Sequence, residues 1–264
     1  IMIENTGRRR GTLILTEGRS GSNWLGSLTK ATGVLGNSEE WFARWAWPKD
    51  LKNVPCDTYI DAMIAKASTP NGYFCAKIFP AHTHYFNVIY GQDLVQNLIE
   101  RFDCNILMLD RRDRMRQAVS YARGMQTGQW KSSGAAKREA AYDAMMIARC
   151  FFLVNRSYEF WRAYASIRGI EVTYFTYEDL IGAPDPYVKS IIEHAGETVD
   201  EIPESLLKIQ RDEITEDWLA RFQKEIPTLN ITAASTPQRQ PRPDPSNLRR
   251  LLTGKPLKPY PHTY

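Results

Sequence analysis

A short turn rich in glycine, serine and arginine, Gly18–Asn23, follows a β-rich run near the start of the sequence. Its glycines allow main-chain N–H groups to point into one concavity, and a helix that begins near Asn23 adds the positive end of its dipole. Ser20, Ser22 and Asn23 offer side-chain donors, and Arg19 offers a planar cation. The turn therefore predicts a cradle for a phosphate-like anion, with an ordinary polar turn between strand and helix as the alternative.

The spacing of this turn differs from that of a Walker A motif. That motif is Gly-x4-Gly-Lys followed by serine or threonine at the start of the helix. Here only two residues separate Gly18 from Gly21, and no lysine precedes a hydroxyl residue at the helix start. This argues against an enzyme that hydrolyses ATP or GTP. A small-molecule or nucleotide kinase stays as an alternative, because Leu107–Asp110 is similar to a Walker B strand that ends in an acid.

Arginines are concentrated directly after a second apolar run, Cys104–Leu109. Arg112 and Ser120 stand eight residues apart, so that an arginine at the strand end and a hydroxyl on the next helix can converge on one phosphate. Arginines at the beginning of a helix oppose the helix dipole, and a bound anion offsets that cost. The alternative is a solvated basic helix start. The arginines of this segment are Arg111, Arg112, Arg114 and Arg116.

Two acidic residues are candidates for a general base. Glu39 and Glu40 lie shortly after the first predicted helix, beside Trp41 and Phe42. An aromatic neighbour can desolvate a carboxylate and raise its pKa toward the working range. The alternative is that both are exposed acids at a helix start. His82 and His84 compete with them for this role, whereas His194 and His262 are interpreted as bystanders.

A lysine and several tryptophans are further candidates for contact with a ligand. Lys77 lies where a strand is predicted to pass into a loop at Lys77–Pro80, and its ammonium group can reach an anion unless it is a surface lysine. Trp130 can stack on adenine or on a sugar, or it can be a core residue at a helix end. The dense group Trp41, Trp45 and Trp47 suits sugar faces, internal packing or a dimer contact.

Strand-like and helical segments alternate along the chain, which predicts an α/β fold with a parallel sheet covered by helices on both faces. After Ile202 the pattern changes to a helical segment and a proline-rich extension. The predicted strands are Gly11–Thr16, Cys104–Leu109 and Ile170–Thr176. The predicted helices are Asn23–Thr32, which Gly33 ends, then Leu94–Phe102, Met115–Met125, Ala135–Arg168, Asp185–Ala195 and Ile214–Lys224, followed by a proline-rich stretch at Thr236–Asn247.

The composition is that of an ordinary globular chain: of 264 residues, 43% are hydrophobic and 24% charged. We expect one domain, 1–264, in which 225–264 form an extended C-terminal arm. A net charge of +4 without a basic stripe argues against nucleic acid as a partner. No apolar run reaches the length of a membrane span, and no signal-peptide core is present, so we expect a cytoplasmic protein. The cysteines are widely spaced, which predicts no metal site.

Several of these segments resemble one family. The loop Arg19–Trp24 resembles the 5′-phosphosulfate loop of sulfotransferases that use PAPS (3′-phosphoadenosine 5′-phosphosulfate), and the pair Arg112 and Ser120 resembles their 3′-phosphate motif. The longer segments resemble the bacterial PAPS-dependent carbohydrate sulfotransferase family typified by trehalose sulfotransferase. They are Ala31–Phe42, Arg111–Trp130, Tyr177–Leu180 and Gln210–Trp218.

The resemblance implies a P-loop-like sheet and in-line transfer of a sulfuryl group from PAPS to a hydroxyl of a carbohydrate or glycolipid, with PAP as product and no metal. It implies Glu40 as the general base, with Glu39 as the fallback. Arg19 and Lys77 are then expected to stabilise the transferred group. Asn23 stands where the family usually has threonine, and its amide can still donate. A base other than a carboxylate, namely a histidine acting on a non-sugar hydroxyl, stays open. So do a homodimer and attachment to the periphery of the inner membrane surface. The residues implied to bind the donor are Arg19, Ser20, Gly21, Ser22, Asn23, Trp24, Arg112, Ser120 and Trp130.

Overall fold

The fold is built on one parallel sheet of four strands in the order β2-β1-β3-β4. The structure is a computed structural model, and it describes residues 7–43, 54–130, 134–203 and 213–235. β1 lies between β2 and β3, and all three neighbouring pairs of strands run parallel. The predicted α/β fold with a parallel sheet is confirmed. The strands are β1 (Arg10–Leu15), β2 (Phe74–Ile78), β3 (Asp103–Asp110) and β4 (Thr173–Thr176).

Helices cover both faces of this sheet, as the nearly continuous apolar strands require. Leu13 of β1 belongs to a buried cluster that includes Trp161 of the long helix α6. Its neighbour Ile14 points to the opposite face, where it packs with Leu25 and Val188. The helices are α1 (Ser22–Ala31), α2 (Cys56–Ala67), α3 (Pro80–Tyr90), α4 (Leu94–Arg101), α5 (Arg114–Thr127), α6 (Ala144–Arg168), α7 (Tyr177–Leu180), α8 (Asp185–Ala195), α9 (Glu213–Glu225) and α10 (Ile231–Ser235).

Local capping explains where most of the predicted helices begin and end. Asp93, Asp113 and Asp143 each precede a helix and accept a hydrogen bond from a main-chain N–H of its first turn. α1 ends before Gly33, whose positive φ of 72° fits the predicted terminating glycine. The long helix begins at Ala144, rather than at Ala135 as predicted, because Asp143 is its capping residue.

The segment after β2 differs from the prediction. The chain does not pass from Lys77–Pro80 into a loop but turns directly into α3, of which Pro80 is the first residue. Proline is favoured there because its fixed φ suits a helix and because an N–H at this position would have no partner within the helix. His82 and His84 therefore lie on a helix. α2 was not predicted, and β4 begins at Thr173 rather than Ile170.

A third buried cluster joins α5 and α6 to the C-terminal part of the chain. Trp218 and Phe222 of α9 pack against α5 and α6, and Ala234 of α10 is buried in the same cluster. The described part of the predicted arm therefore folds against α6, through a 3₁₀ turn at Ile226–Thr228 and then α10. The proline-rich stretch Thr236–Asn247 lies outside the described residues. In the ranges that the structure describes, no helix is long and apolar enough to cross a membrane.

The connections bring four segments to the carboxyl edge of the sheet. The chain leaves β1 for β2 on one side and then crosses to β3 on the other, which opens a crevice at the carboxyl end of β1. The turn Thr16–Gly21 follows β1, Lys77 lies near the end of β2, Arg111 and Arg112 follow β3, and α7 follows β4. The two segments predicted to bind an anion and Lys77 thus lie at one edge.

Candidate functional site

The turn Gly18–Asn23 after β1, called the anion loop here because the sequence predicts that it binds an anion, has a strained backbone. Arg19 adopts a left-handed conformation with φ 64°, which is uncommon for a residue other than glycine, and Gly21 has φ 90°. Gly21 also precedes the first turn of α1 and provides no side-chain cap for it. The N–H groups at this helix start therefore have no capping acceptor from Gly21, which suits an anion as their partner.

Ser20 lies beneath the loop and not on its surface. It is completely buried, and its hydroxyl is 2.9 Å from that of Thr16. Thr16 in turn bonds the main-chain carbonyl of Leu109 at 2.7 Å, which ties the loop to β3. The prediction that the Ser20 hydroxyl serves as a donor to the anion is not supported by this placement, and its contribution to binding would come from its main-chain N–H.

Arg19 connects the loop to α5 and to Trp130. Its Nε donates to Oγ of Ser120 at 2.7 Å, and its Nη1 donates to the carbonyl of Trp130 at 2.7 Å. Arg111 donates from Nη1 to the carbonyl of Arg19 at 2.8 Å, so the segment after β3 holds the loop from the other side. The two anion-binding segments predicted from the sequence are therefore in direct contact.

Positive charge is concentrated around Arg19. Burial, followed by the nearby charges of Arg111 and Arg123, lowers the pKa of Arg19 to about 10. The guanidinium remains charged at neutral pH, but its charged form is destabilised relative to that of a solvated arginine. An anion bound between these arginines would offset both the lost solvation and the mutual repulsion.

Arg112 has a different partner from Ser120. Its Nη2 bonds both carboxylate oxygens of Asp179, at 2.7 and 2.8 Å, and the pair is exposed. Glu178 accepts the main-chain N–H groups of Arg112 and Asp113, at 2.8 and 3.1 Å. The helix α7 thus fixes the turn that follows β3. Among the residues that the structure describes, Arg112 and Ser120 share no partner, although Arg111 and Arg19 link them through a chain of contacts along one edge.

Lys77 is the centre of a second polar cluster and is not a surface lysine. Its side chain is completely buried. Nζ lies 2.5 Å from Oδ1 of Asn23, 3.6 Å from Oε2 of Glu39 and 4.0 Å from Oε1 of Glu40. Asn23 also reaches the carbonyl of Trp130 with its Nδ2, at 3.4 Å. Lys77 therefore joins the first turn of α1 to the two candidate bases.

The segment that carries these bases lies along the edge of the sheet. The main-chain N–H of Lys77 donates to the carbonyl of Glu39 at 3.0 Å, and Glu39 forms an isolated parallel bridge with Ala76. The side chains of Glu39 and Glu40 are about equally exposed, at 24% and 23%. Burial raises the pKa of Glu17 and of Tyr121, which lie at and beside the anion loop, and the charge of Glu40 adds to both shifts. The charge of Glu40 is therefore coupled to this loop.

The histidines fit the role of base less well. Burial, followed by the charge of Lys77, lowers the pKa of His82 to about 3, and its Nδ1 accepts the N–H of Phe79 at 3.2 Å. A group with so low a pKa is a weak proton acceptor near neutral pH. His194 lies at the opposite edge of the sheet, beside the carbonyl of Asp103. His84 is half-buried on α3, where its Nδ1 lies 2.8 Å from the carbonyl of Pro80.

The tryptophans of the site have distinct positions. Trp130 is 43% exposed and contacts Tyr121 edge-on at 5.4 Å. Trp24 contacts Tyr177 edge-on at 6.1 Å. Trp41 donates its Nε1–H to the carbonyl of Asn37 at 2.7 Å, which fixes the segment of the candidate bases. Trp45 and Trp47 lie outside the described residues.

Sequence reasoning missed several residues that support the loop. Gln117 is buried and donates to the carbonyl of Gly18 at 2.8 Å. Glu17 is buried directly before the loop, and Tyr121 stands above Gly18 from α5. Only the position of Glu17 between a strand and the anion loop was visible in the sequence. The contacts of Gln117 and Tyr121 come from the packing of α5 onto β1.

Asp110, the acid at the end of β3, is held by arginines. Its Oδ1 accepts the main-chain N–H of Arg111 and pairs with Arg114, and its Oδ2 bonds Nη2 of Arg162 at 2.5 Å. Both carboxylate oxygens are therefore engaged by cations. This position resembles that of a metal-binding acid in kinases, but here the acid serves to fix the arginine-rich segment.

Three comparisons relate the chain to known proteins. The sequence profile described as Stf0 sulphotransferase matches residues 11–225. Trehalose 2-sulfotransferase of Mycolicibacterium smegmatis is 24% identical over 81% of this chain and 94% of its own. Trehalose 2-sulfotransferase of Mycobacterium tuberculosis is 24% identical over 83% of this chain and 96% of its own. The crystal structure of a sulfotransferase from Alicyclobacillus acidocaldarius, 15% identical, covers 94% of this chain and 97% of its own with a TM-score of 0.44.

Proposed function

The chain belongs to the Stf0 sulphotransferase family, and we propose that it transfers a sulfuryl group from PAPS to a hydroxyl of a carbohydrate or glycolipid. The S–O bond to the 5′-phosphate breaks, a bond from sulfur to the acceptor oxygen forms, and the hydroxyl proton leaves to a base. PAP and a sulfate ester are the products. The observation that carries the proposal is the direct contact between the anion loop and the arginine segment after β3, beside two carboxylates.

The residues around Arg19 fit the 5′ end of this donor. PAPS supplies the sulfuryl group and a phosphate as its leaving group. The uncapped start of α1 and the guanidinium of Arg19 offer N–H donors where negative charge develops on the leaving oxygen. Main-chain N–H groups of Ser20, Ser22 and Asn23 extend the cradle. Lys77 lies behind Asn23 and adds positive charge on the acceptor side.

The 3′-phosphate is assigned to Arg112 and Ser120. Both lie on the segment that begins at the end of β3, and Arg112 is exposed enough to exchange Asp179 for a phosphate. Ser120 accepts a hydrogen bond from Arg19, so the residues assigned to the two ends of the donor are in contact. We assign Trp130, which is partly exposed, to contact with adenine or with the acceptor sugar.

The acceptor is placed beside Glu40. As a carboxylate, Glu40 accepts the hydroxyl proton as the sulfuryl group moves onto the oxygen. Lys77 contacts both Glu39 and Glu40 and therefore holds this pair next to the loop. The two relatives are named for transfer to trehalose, and a disaccharide of this kind is the acceptor class we favour. We place the activity in one domain, 1–264, acting in the cytoplasm, either free or at the inner membrane surface, as a monomer or a homodimer.

The observation that favoured a kinase, an acid at the end of β3, has a different explanation. This acid is Asp110, and its carboxylate oxygens are bound by Arg114 and Arg162. The loop also carries arginine rather than lysine at its centre. Neither feature suits a site that holds a nucleoside triphosphate with magnesium.

Replacing Gly21 by alanine tests the shape of the loop. A Cβ at this position would lie 2.2 Å from the ring of Tyr177, and the φ of 90° is itself unfavourable for alanine. We expect G21A to lose affinity for PAP by about tenfold or more, because the loop and Tyr177 must move apart, in addition to about 1–3 kcal/mol of stability from backbone strain. Isothermal calorimetry with PAP and thermal unfolding measure the two effects.

Gly33 provides the matched control. It also has a positive φ, 72°, but a Cβ there meets nothing within 4 Å. G33A should lose comparable stability and keep its affinity for PAP. Equal affinities for PAP in G21A and G33A would contradict the assignment of the loop.

The proposed reaction is tested by transfer of ³⁵S-labelled sulfate from PAPS to a panel of acceptors. The panel contains trehalose, other disaccharides, glycolipids and a phenol as a non-sugar hydroxyl. Labelled product is expected with at least one carbohydrate or glycolipid and not with the phenol. Transfer to the phenol alone would overturn the acceptor class. Binding of PAP without transfer to any acceptor of the panel would mean that the protein binds the donor product but does not catalyse the proposed reaction.

A further inference from the structure

A buried carboxyl group lies at the base of the anion loop. Glu17 is 4% exposed and stands between β1 and Gly18. Its Oε1 accepts the main-chain N–H of Gly18 at 2.7 Å, and the Tyr121 hydroxyl lies 3.4 Å from the same oxygen. Its Oε2 accepts the hydroxyl of Ser157 at 2.6 Å. Glu17 therefore connects the loop to α5 and to α6.

The surroundings of Glu17 provide neutral donors but no close cation. In the part of the chain that the structure describes, no lysine, arginine or histidine nitrogen lies within 4.0 Å of its carboxylate. The titratable groups around it are Tyr121 on α5, Cys150 and Tyr158 on α6, and Glu40 on the neighbouring segment. Arg19 follows two residues later in the loop itself. Burial raises the pKa of Glu17, and the charge of Glu40 raises it further.

An acid in this position conflicts with an anion in the loop. A bound phosphosulfate places negative charge next to a carboxylate that solvent does not screen, and two like charges at short range in a poorly polarisable interior repel strongly. The conflict disappears when the carboxyl group is neutral. A protonated Glu17 keeps its contacts, because Oε1 still accepts from Gly18 while the proton on Oε2 is donated to Ser157.

Building on the proposed function, we propose that Glu17 is a positioning residue of the donor site that takes up one proton from solvent when PAPS or PAP binds. Through Gly18 and Tyr121 it holds the loop and the wall beside Trp130 in place, in either protonation state. The proton removes the charge that opposes the donor. The acceptor hydroxyl and Glu40 are not partners in this step, so it is separate from the transfer itself.

The consequence is a donor affinity that depends on pH. The pKa of Glu17 is already raised in the free protein and rises further when the donor anion is bound. Between these two pKa values binding is coupled to proton uptake, so affinity is highest at low pH and falls as pH rises through this window. The loss of affinity for one coupled proton reaches about tenfold per pH unit.

Calorimetric titration with PAP in buffers of different ionisation enthalpy measures the number of protons taken up. We compare the unmodified protein with E17Q from about pH 5 to pH 8, the range in which folded proteins are usually most stable. Glutamine keeps the shape and the acceptor for Gly18 but cannot titrate. The unmodified protein should take up as much as one proton more than E17Q, and E17Q should show the weaker pH dependence of affinity. Protonation of the phosphates of PAP is common to both and cancels.

Two further variants identify the source of the proton. E40Q should retain the extra uptake, because Glu40 is not the group that titrates on binding, but at lower pH, because its charge no longer raises the pKa of Glu17. S157A removes a donor that favours the ionised form of Glu17, so the pH range in which binding takes up a proton should move to higher pH. This variant tests the inference even if E17Q folds poorly. Equal proton uptake in the unmodified protein and E17Q at every pH, or loss of the uptake in E40Q alone, would overturn the inference. Absence of PAP binding in the unmodified protein would instead refute the proposed function.

Discussion

Replacing Glu40 by glutamine should lower the turnover of sulfuryl transfer by about 10²–10⁴-fold, the usual contribution of a general base, while affinity for PAP changes little. Glutamine keeps the size of the side chain and its distance to Lys77 but cannot accept the acceptor proton. PAP has no proton to give up at this position, so the expected effect on donor binding is only the small one of removing a negative charge that is coupled to the loop. Initial rates of ³⁵S transfer and calorimetry with PAP measure the two quantities.

Glu39 is the matched control for this variant. Both acids contact Nζ of Lys77 and are nearly equally exposed, so E39Q disturbs the same cluster without removing the proposed base. We expect E39Q to keep its turnover within about tenfold, and the acidic limb of the pH–rate profile to persist in E39Q and to disappear in E40Q. An inactive E39Q beside an active E40Q would transfer the role to Glu39. Full activity in both variants would require another base, of which His84 is the remaining candidate.

Replacing Arg19 by lysine should lower turnover by about 10²–10³-fold, as the loss of a donor to a developing negative charge does in other enzymes. Lysine keeps the positive charge but lacks the planar fork that reaches Ser120 and the carbonyl of Trp130 at the same time. The left-handed backbone at this position is equally unfavourable for both residues, so the comparison isolates the side chain. Turnover with saturating PAPS is the measured quantity.

Arg112 is the control that separates the two ends of the donor. R112A removes the exposed arginine that pairs with Asp179, and we expect it to raise KM for PAPS by about tenfold, the scale of one hydrogen bond to a charged group, with turnover largely kept. It should also weaken discrimination against adenosine 5′-phosphosulfate, which lacks the 3′-phosphate. The same loss of turnover in R112A and R19K would mean that these residues do not serve separate ends.

Much of the site could be predicted from local patterns. The turn Gly18–Asn23 lies where a β-rich run meets a helix, and in the structure it joins β1 to α1 at the carboxyl edge of the sheet. That it binds an anion stays a prediction. The arginines after β3 were found in the same way. Their contact, through Arg111 and Arg19, follows from the parallel pairing of β1 with β3, which brings both strand ends to one edge.

Other features depend on packing between distant segments and leave little trace in the sequence. Lys77 is buried because the Glu39 segment lies along β2 and neutralises it, so the alternative of a surface lysine was wrong. The environment of Glu17 is made by Tyr121 and Ser157, both more than a hundred residues away in the chain. The start of α6 was placed too early because the alanine-rich stretch from Ala135 has helical composition, whereas the cap at Asp143 decides the boundary.

Calorimetric titration of the protein with PAP in the absence of magnesium, next to a titration with ATP and magnesium, tests the central claim most directly. The arginines around the loop and the pair of Arg112 with Ser120 predict that PAP binds without magnesium and that ATP with magnesium binds far more weakly. Binding of ATP with magnesium in the absence of any binding of PAP would contradict the assignment of this site to a phosphosulfate donor.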